Sequence, residues 1–362
     1  MGAYIVRRLL LMIPTLVGIM ILNFALIQFV PGGPIEQLIA RLEGHGDVFA
    51  QIAGTGGDAG INEQVEGGES ILKNGGLPPE FLAKLRAEYG FDKPFFTRFA
   101  DMMWKYVQFD FGESYFRSVR VVDLILEKMP VSITLGLWAT LLATIISIPL
   151  GIAKAVRDGS RFDTVTSTII IVAYAIPTFL FAVMLMIFFA GGSYWRIFPL
   201  TGLTSDNWEE LSMLGKVADY FWHITLPVIA STIGGFATLT LLTKNSFLDE
   251  IRKQYVVTAR AKGLTERRVL YGHVFRNAML IVIAGFPSML IGVLFGGSVI
   301  IETIFSLDGL GRLGFEAAIS RDYPIMFGTL FFFTLMGLII GLISDLTYAW
   351  VDPRIDFEAR RV

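Results

Sequence analysis

Residues Gln254–Glu266 read Gln-Tyr-Val-Val-Thr-Ala-Arg-Ala-Lys-Gly-Leu-Thr-Glu, a polar, basic stretch set between two long apolar runs, 221–243 and 277–301. Ala259-Arg260-Ala261-Lys262 is a run of good helix formers. Gly263 stops it, glycine being the residue most often placed just past a helix end. Thr265 then reads as the N-cap of a second helix beginning at Glu266. The pattern predicts a short helix lying flat outside a bilayer and tied at both ends to membrane spans. Such a helix can pass a push from a soluble partner into the membrane. The plainer reading is a basic loop that obeys the positive-inside rule.

The rest of the chain supports the membrane assignment. Of 362 residues, 54% are hydrophobic and only 17% charged, where soluble domains carry about 25% charged residues. Mean hydropathy is +0.61. A net charge of −2 gives no basic face for nucleic acid, and with no cysteine there is no disulfide framework or thiol chemistry. Six apolar runs are long enough to span: about 9–29, 131–152, 165–190, 221–243, 277–301 and 327–350. The first follows Arg7-Arg8 but lacks an A-x-A cleavage site, so it reads as an uncleaved span. Lys and Arg crowd one set of short loops, including Lys154, Arg157, Lys244, Arg252, Lys253 and Arg267, and are sparse in the other. Both termini and the loop 244–276 are therefore expected in the cytoplasm, and the long segment 31–130 outside.

Three regions follow: a first transmembrane helix over 1–30, an outer region over 31–130, and a core of five spans over 131–362. Within the outer region, 44–76 is rich in glycine and acidic residues and reads as a flexible insertion. From Pro78 the pattern turns helical, and 92–110 carries enough aromatic and methionine side chains for a small cap. Each of the first five spans holds one proline, at Pro14, Pro149, Pro177, Pro227 and Pro287. Proline there marks either irregular packing or bent helices around a cavity whose ends open in turn.

No phosphate-binding G-x-x-x-x-G-K-[ST], G-x-S-x-G or H-E-x-x-H motif occurs, and His45, His223 and His273 lie far from metal-ligand spacing. The sequence therefore predicts no catalytic residue, cofactor or metal on this chain. The middles of the spans carry no Lys, Arg, Asp or Glu. Lys244, Glu302 and Asp345 fall near span ends, where charges can reach the interface. Ion-coupled carriers place ionisable groups at bilayer depth, so this pattern weighs against a secondary carrier or channel. Mid-span polarity is mild. Tyr174 and Thr178 beside Pro177, with Ser231, Thr238 and Ser288, are the candidates for a neutral polar path, although Ser and Thr in spans usually bond back to their own helix.

Thr258-Ala259-Arg260-Ala261-Lys262-Gly263, followed by Arg276-Asn277-Ala278, resembles the cytoplasmic coupling segment of dipeptide/oligopeptide-type ABC importer permeases. Further matches are Pro31-Gly32-Gly33-Pro34, Asp110-Phe111-Gly112-Glu113-Ser114, Gly309-Leu310-Gly311-Arg312, Arg321-Asp322-Tyr323-Pro324 and Asp352-Pro353-Arg354-Ile355. Only roughly residues 43–76 fall outside the likeness. Within the family the chain resembles B-type subunits of Yej systems, which handle oligopeptides and the peptide-nucleotide microcin C. The resemblance implies an all-α polytopic membrane protein with six transmembrane helices and the type I ABC importer permease fold. It also implies a bacterial inner-membrane location, a second homologous permease subunit, one or two cytoplasmic ABC ATPases carrying ATP and Mg, and a periplasmic peptide-binding protein. The coupling segment would comprise Tyr255, Val256, Thr258, Ala259, Arg260, Ala261, Lys262, Gly263 and Leu264. Tyr255, Val256 and Ala259 are expected to form its apolar contact face, with Arg260 and Lys262 adding polar contacts. Same-family alternatives for the substrate are nickel chelates and glycopeptides.

Overall fold

In the computed structural model the described residues are 2–29, 93–117, 119–190, 194–295 and 299–351. They are almost entirely helical: α1 Gly2–Phe29, α2 Phe95–Val107, α3 Val121–Val156, α4 Arg161–Ala175, α5 Thr178–Phe189, α6 Met213–Ile251, α7 Gln254–Ala261, α8 Glu266–Val269, α9 Phe275–Phe295, α10 Val299–Ile304, α11 Leu310–Ser320 and α12 Tyr323–Val351. The insertion 44–76, the helical pattern from Pro78, Pro31–Pro34 and Asp352–Ile355 lie outside the described residues.

Among the described residues, four helical segments are long and apolar enough to cross a membrane: Tyr4–Leu26, Val121–Val156, Met213–Ile251 and Tyr323–Thr347. The pair α4 and α5, bent by 93°, makes a fifth if taken as one span. The run expected at 277–301 falls on α9 and α10, separated by residues outside the described set. Helices α3 and α6 overrun the expected 131–152 and 221–243 because their ends are amphipathic rather than uniformly apolar. In α3, Val121, Leu124, Ile125 and Lys128 are buried at helical spacing while Leu126 and Glu127 are exposed.

The prolines differ in effect. Helices α1, α3 and α6 continue through Pro14, Pro149 and Pro227. Pro177 alone of the five separates two helices. A residue before proline is driven out of the α region, and Ile176 accordingly sits at φ −77°, ψ 120°, ending α4 before α5 begins at Thr178.

The chain forms two compact units. One comprises Lys128–Arg312 with Met1–Leu9 and Met336–Val362; the other comprises Leu10–Glu127 and Leu313–Leu335. In the first, α6 is central and packs on α4, α5, α9 and α10. Its approach to α3 depends on Gly151, where a Cβ would stand 2.6 Å from Thr243 Cβ and 2.9 Å from Thr240 O. Ser147 Oγ donates to Phe236 O across the same crossing, at 3.0 Å.

The second unit is held by aromatic side chains. Phe24 packs edge-on to Phe95 and Phe99, with ring centroids 5.1 and 5.4 Å away, and Tyr106 stands at 87° to Phe111. Such edge-to-face pairs add about 0.5–1.5 kcal/mol each beyond area burial. Two of the resembled motifs meet here. Ser114 Oγ donates to Asp322 Oδ2, Tyr115 N donates to Oδ1, and Arg117 pairs with Glu316 at 2.7 Å. Burial raises the Asp322 carboxyl above the usual carboxylate range in spite of those donors.

Candidate coupling site

Helix α6 ends at Ile251, and the chain turns at Arg252 and Lys253 into α7. Glu250 fixes that turn: its carboxylate pairs with Lys253 and accepts from Tyr255 Oη at 2.8 Å. The far end of α7 closes as a Schellman motif. Gly263 N donates to Arg260 O at 2.9 Å and Leu264 N to Ala259 O at 3.4 Å, and Gly263 carries the required left-handed φ of +78°. Gly263 therefore does the work expected of it. Thr265 occupies the N-cap position of α8 in extended conformation, but its side chain makes no capping bond. The angle between α7 and α8 is pinned instead by Arg260, which makes a bidentate pair with Glu266 at 2.9 and 3.1 Å.

The lever is stapled to the bundle. Val256, fully buried, and Ala259, 7% exposed, join Ile152 and Ala155 of α3, Leu239 and Phe247 of α6, Val269 and Val274, and Ala278, Met279 and Val282 of α9 in one apolar cluster. Tyr255 and Leu264 pack against its edge. Ser246 Oγ donates to Ala278 O at 2.6 Å, tying α6 to α9 beside the cluster. A π-helical turn, Leu270–Val274, carries the chain from α8 into α9.

This geometry corrects one expectation. Val256 and Ala259 are not an outward contact face; they are the anchor of the lever in its own chain. Tyr255 is half-buried with them. The face left to solvent comprises Gln254, Val257, Thr258, Ala261 and Lys262, with Arg260 beside it. Helical spacing explains the result: 256 and 259 lie on one side, 254, 257, 258 and 261 on the other. The segment contains an apolar residue on each side, so sequence alone did not distinguish anchor from docking face.

Next to the lever lies an ion cluster. Lys154 of α3 is fully buried, and its three N–H groups go to Asp163 O (3.0 Å), Thr166 Oγ1 (2.8 Å) and Ser167 Oγ (2.7 Å). Its charge faces Asp163 Oδ1 at 3.0 Å. Lys244 of α6 binds the other oxygen of Asp163 at 2.7 Å and Asp158 at 3.0 Å. Lys244 thus turns inward rather than to an interface, and Asp163 was missed because a lone Asp at a helix start reads as an ordinary cap-region residue.

Glu302 is likewise corrected. Although it lies near the end of an apolar run, it is fully buried. Its carboxylate accepts from Ser132 Oγ at 3.1 Å and from Arg312 N at 2.6 Å, at the start of α11. A Cβ at Gly309 would fall 2.7 Å from Glu302 Oε2 and closer still to Cδ. The Gly-Leu-Gly-Arg motif is therefore the cradle of a buried carboxylate.

The four candidates for a solute path whose side chains are described, Tyr174, Thr178, Ser231 and Thr238, are not gathered in one place. A crevice of about 130 Å³ is lined by Ala139, Thr140, Ala143 and Thr144 of α3, Ser231, Thr232, Gly235 and Leu239 of α6, and Met289 of α9. Of these four, Ser231 alone lines it, and its hydroxyl donates to Pro227 O at 2.8 Å. Thr178 is half-buried, with Oγ1 3.8 Å from where a Cβ at Gly234 would sit, while Thr238 and Tyr174 are exposed. The side chain of Ser288 lies outside the described residues.

The described residues thus form a bundle of long apolar helices with a short polar helix, α7, set between α6 and α9. The profile described as "binding-protein-dependent transport system inner membrane component" matches residues 147–357, and the chain belongs to this family of ABC importer permeases. It is 60% identical over 367 residues to the peptidoglycan transport system permease protein YejB of Agrobacterium fabrum, with both chains covered in full. It is 57% identical over 364 residues to the inner membrane ABC transporter permease protein YejB of Escherichia coli O157:H7 (99% of this chain, 100% of that one). Identity to the oligopeptide transport system permease protein AppB of Bacillus subtilis is 33% over 358 residues, covering 99% and 100%. Among solved structures, an inward-facing MetNI methionine ABC transporter chain aligns with a TM-score of 0.49 at 16% identity, over 64% of this chain and 97% of that one. The resemblance read from the coupling segment holds, and the chain is a permease subunit rather than an ATPase.

Proposed function

We propose that this chain imports peptide-type solutes from periplasm to cytoplasm as one of two permease subunits, with ATP hydrolysed on partner ATPases and solute delivered by a periplasmic binding protein. The carrying observation is α7: one face is fixed by Val256 and Ala259 to the ends of α3, α6 and α9, and the other is left to solvent. An ATPase that grips the free face through Val257, Thr258, Ala261 and Lys262 moves three helices at once. Closure of the ATPases on ATP then switches the pathway from inward-open to outward-open, and hydrolysis resets it. ATP acts by binding one arrangement more tightly than the other. The reading includes six spans, both termini in the cytoplasm and the segment 44–76 in the periplasm.

Oligopeptides, including peptide antibiotics such as microcin C, are the substrates that the family likeness favours. The name of the Agrobacterium relative favours a second reading, peptide-bearing peptidoglycan fragments. Mild polarity around Thr140, Thr144 and Ser231 suits weak, release-permitting contact with a peptide backbone. Uptake of labelled oligopeptides and of muropeptides into proteoliposomes, with the second permease, ATPase and binding protein present, tests both. ATP-dependent accumulation of either class supports the importer. Uptake by the chain alone, without ATPase, defeats it.

A further inference from the structure

We infer that Asp163 is the positioning residue that makes α4 move with the coupling lever; the inference rests on the importer role proposed above. Helix α4 has little apolar hold on its surroundings. Its buried residues are Asp163 and Ile170, while Val165, Ile169, Ile171 and Val172 are each more than half exposed. Its attachment is ionic and concentrated in its first turn. There Asp163 binds the ammonium groups of two different helices, Lys154 of α3 and Lys244 of α6. Ser160 caps the helix by accepting from Asp163 N, and Gly159 N donates to Asp163 Oδ2 at 3.2 Å, so the turn before α4 is locked to the same carboxylate.

The turns of α3 and α6 that supply those lysines are also the turns that hold α7. Ile152 and Ala155 flank Lys154, and Phe247 follows Lys244 by three residues; all three belong to the cluster around Val256 and Ala259. Asp163 and the lever are thus fixed to one set of backbone segments, and a displacement of α7 reaches α4 without an intervening soft contact. Stability alone does not account for the cluster, because a buried ion pair rarely stabilises more than apolar side chains of the same volume. A charge shared by two helices does fix register and orientation. At its other end α4 meets the 93° bend at Pro177, so the motion arrives where the span is already broken.

The chain has no cysteine, so cysteines introduced at the exposed positions Val165 and Tyr271 are its only labelling sites. In the assembled complex, spin labels at these positions should report one distance that stays the same without nucleotide and with trapped ATP. Asp163→Asn should broaden that distance and lower uptake per ATP hydrolysed by about tenfold, with ATP turnover largely kept; Asp163→Glu should restore part of the ratio. A distance that changes between nucleotide states in the chain with Asp163 intact overturns the inference, and so does an Asp163→Asn complex with unaltered uptake per ATP. If Asp163→Asn fails to assemble, the distance measurement on the intact chain decides alone. A wild-type complex with no ATP-dependent uptake refutes the importer itself, a result distinguishable from a coupled wild type with an indifferent Asp163→Asn.

Discussion

Gly263 sits at φ +78° with open space around the position a Cβ would take, so only backbone conformation forbids another residue. Left-handed backbone costs an L-residue about 1–2 kcal/mol, and a β-branched one more. Gly263→Val is expected to leave insertion intact while loosening the lever, so that ATP turnover continues and uptake falls. Normal uptake in proteoliposomes would sink that assignment. Val256 and Val257 offer a sharper contrast. Val256→Asp places an unpaired charge in a sealed apolar cluster, at a cost of several kcal/mol, and should abolish stable assembly. Val257→Asp, at a position 49% exposed, should leave the chain folded but weaken capture of the ATPase in a pull-down from detergent. Equal behaviour of the two would mean that anchor and docking face have been exchanged. Asp322 carries a pH signature. Burial raises its carboxyl, so the folded protein holds that proton more tightly than the unfolded chain does. Its contribution to stability is present below the ordinary carboxylate range and is lost as pH rises through the raised value. Melting temperatures measured from acid to neutral pH should therefore show wild type losing ground to Asp322→Asn, whereas an unchanged gap would remove the carboxyl from the explanation.

At the scale of elements, helix α7 was legible because its signals are local. Strong helix formers, a stop glycine and a start threonine at fixed spacing need no knowledge of the fold. What was not legible depended on partners far away in sequence. Glu302 looked like an interface residue until Ser132, Gly309 and the start of α11 closed around it. Lys244 looked like a positive-inside charge until Asp163, 81 residues earlier, was found against it. The length of α3 and α6 was underread for a related reason: a search for uniform hydropathy stops where a helix becomes amphipathic, although the helix itself continues. Pro177 shows the opposite case, in which one residue and its predecessor set a 93° bend. Pro177→Ala restores an α-compatible Ile176 and an N–H for the helix, so α4 and α5 should straighten. Spin labels at the exposed Ile169 and at Ile187 would move apart; an unchanged distance would assign the bend to packing instead.

For the whole molecule, the relevant feature is the mild polarity of the span middles read from the sequence. The middles of the six apolar runs carry no Lys, Arg, Asp or Glu. The buried ionisable groups Lys154, Asp163, Lys244 and Glu302 fall just beyond run ends and are paired or hydrogen-bonded within the chain, so no ion-coupled transport is expected. Purified alone in vesicles it should move no peptide at any membrane potential, and addition of the ATPase, second permease and binding protein should restore uptake. Potential-driven uptake by the chain alone would overturn this. The family and general architecture were readable from dispersed motifs, and the structure supplies reasons for several of them. Asp110–Ser114 and Arg321–Pro324 are two halves of one contact around Asp322, and Gly309–Arg312 is a carboxylate cradle. The solute path was the least readable feature, because a crevice is a property of facing helices and no one helix reveals which of its threonines look inward.

The burial of Lys154 also bears on biogenesis. Lys154 emerges from the ribosome just before Asp163 and well before Lys244. Asp163 follows only nine residues later, so α3 and α4 are best inserted together as a hairpin that neutralises itself before release to lipid, leaving Lys244 to join afterwards. A nascent chain long enough to expose α3 to α5 beyond the ribosome should already shield the Lys154 amine from a membrane-permeant acylating reagent; the same chain carrying Asp163→Asn should not.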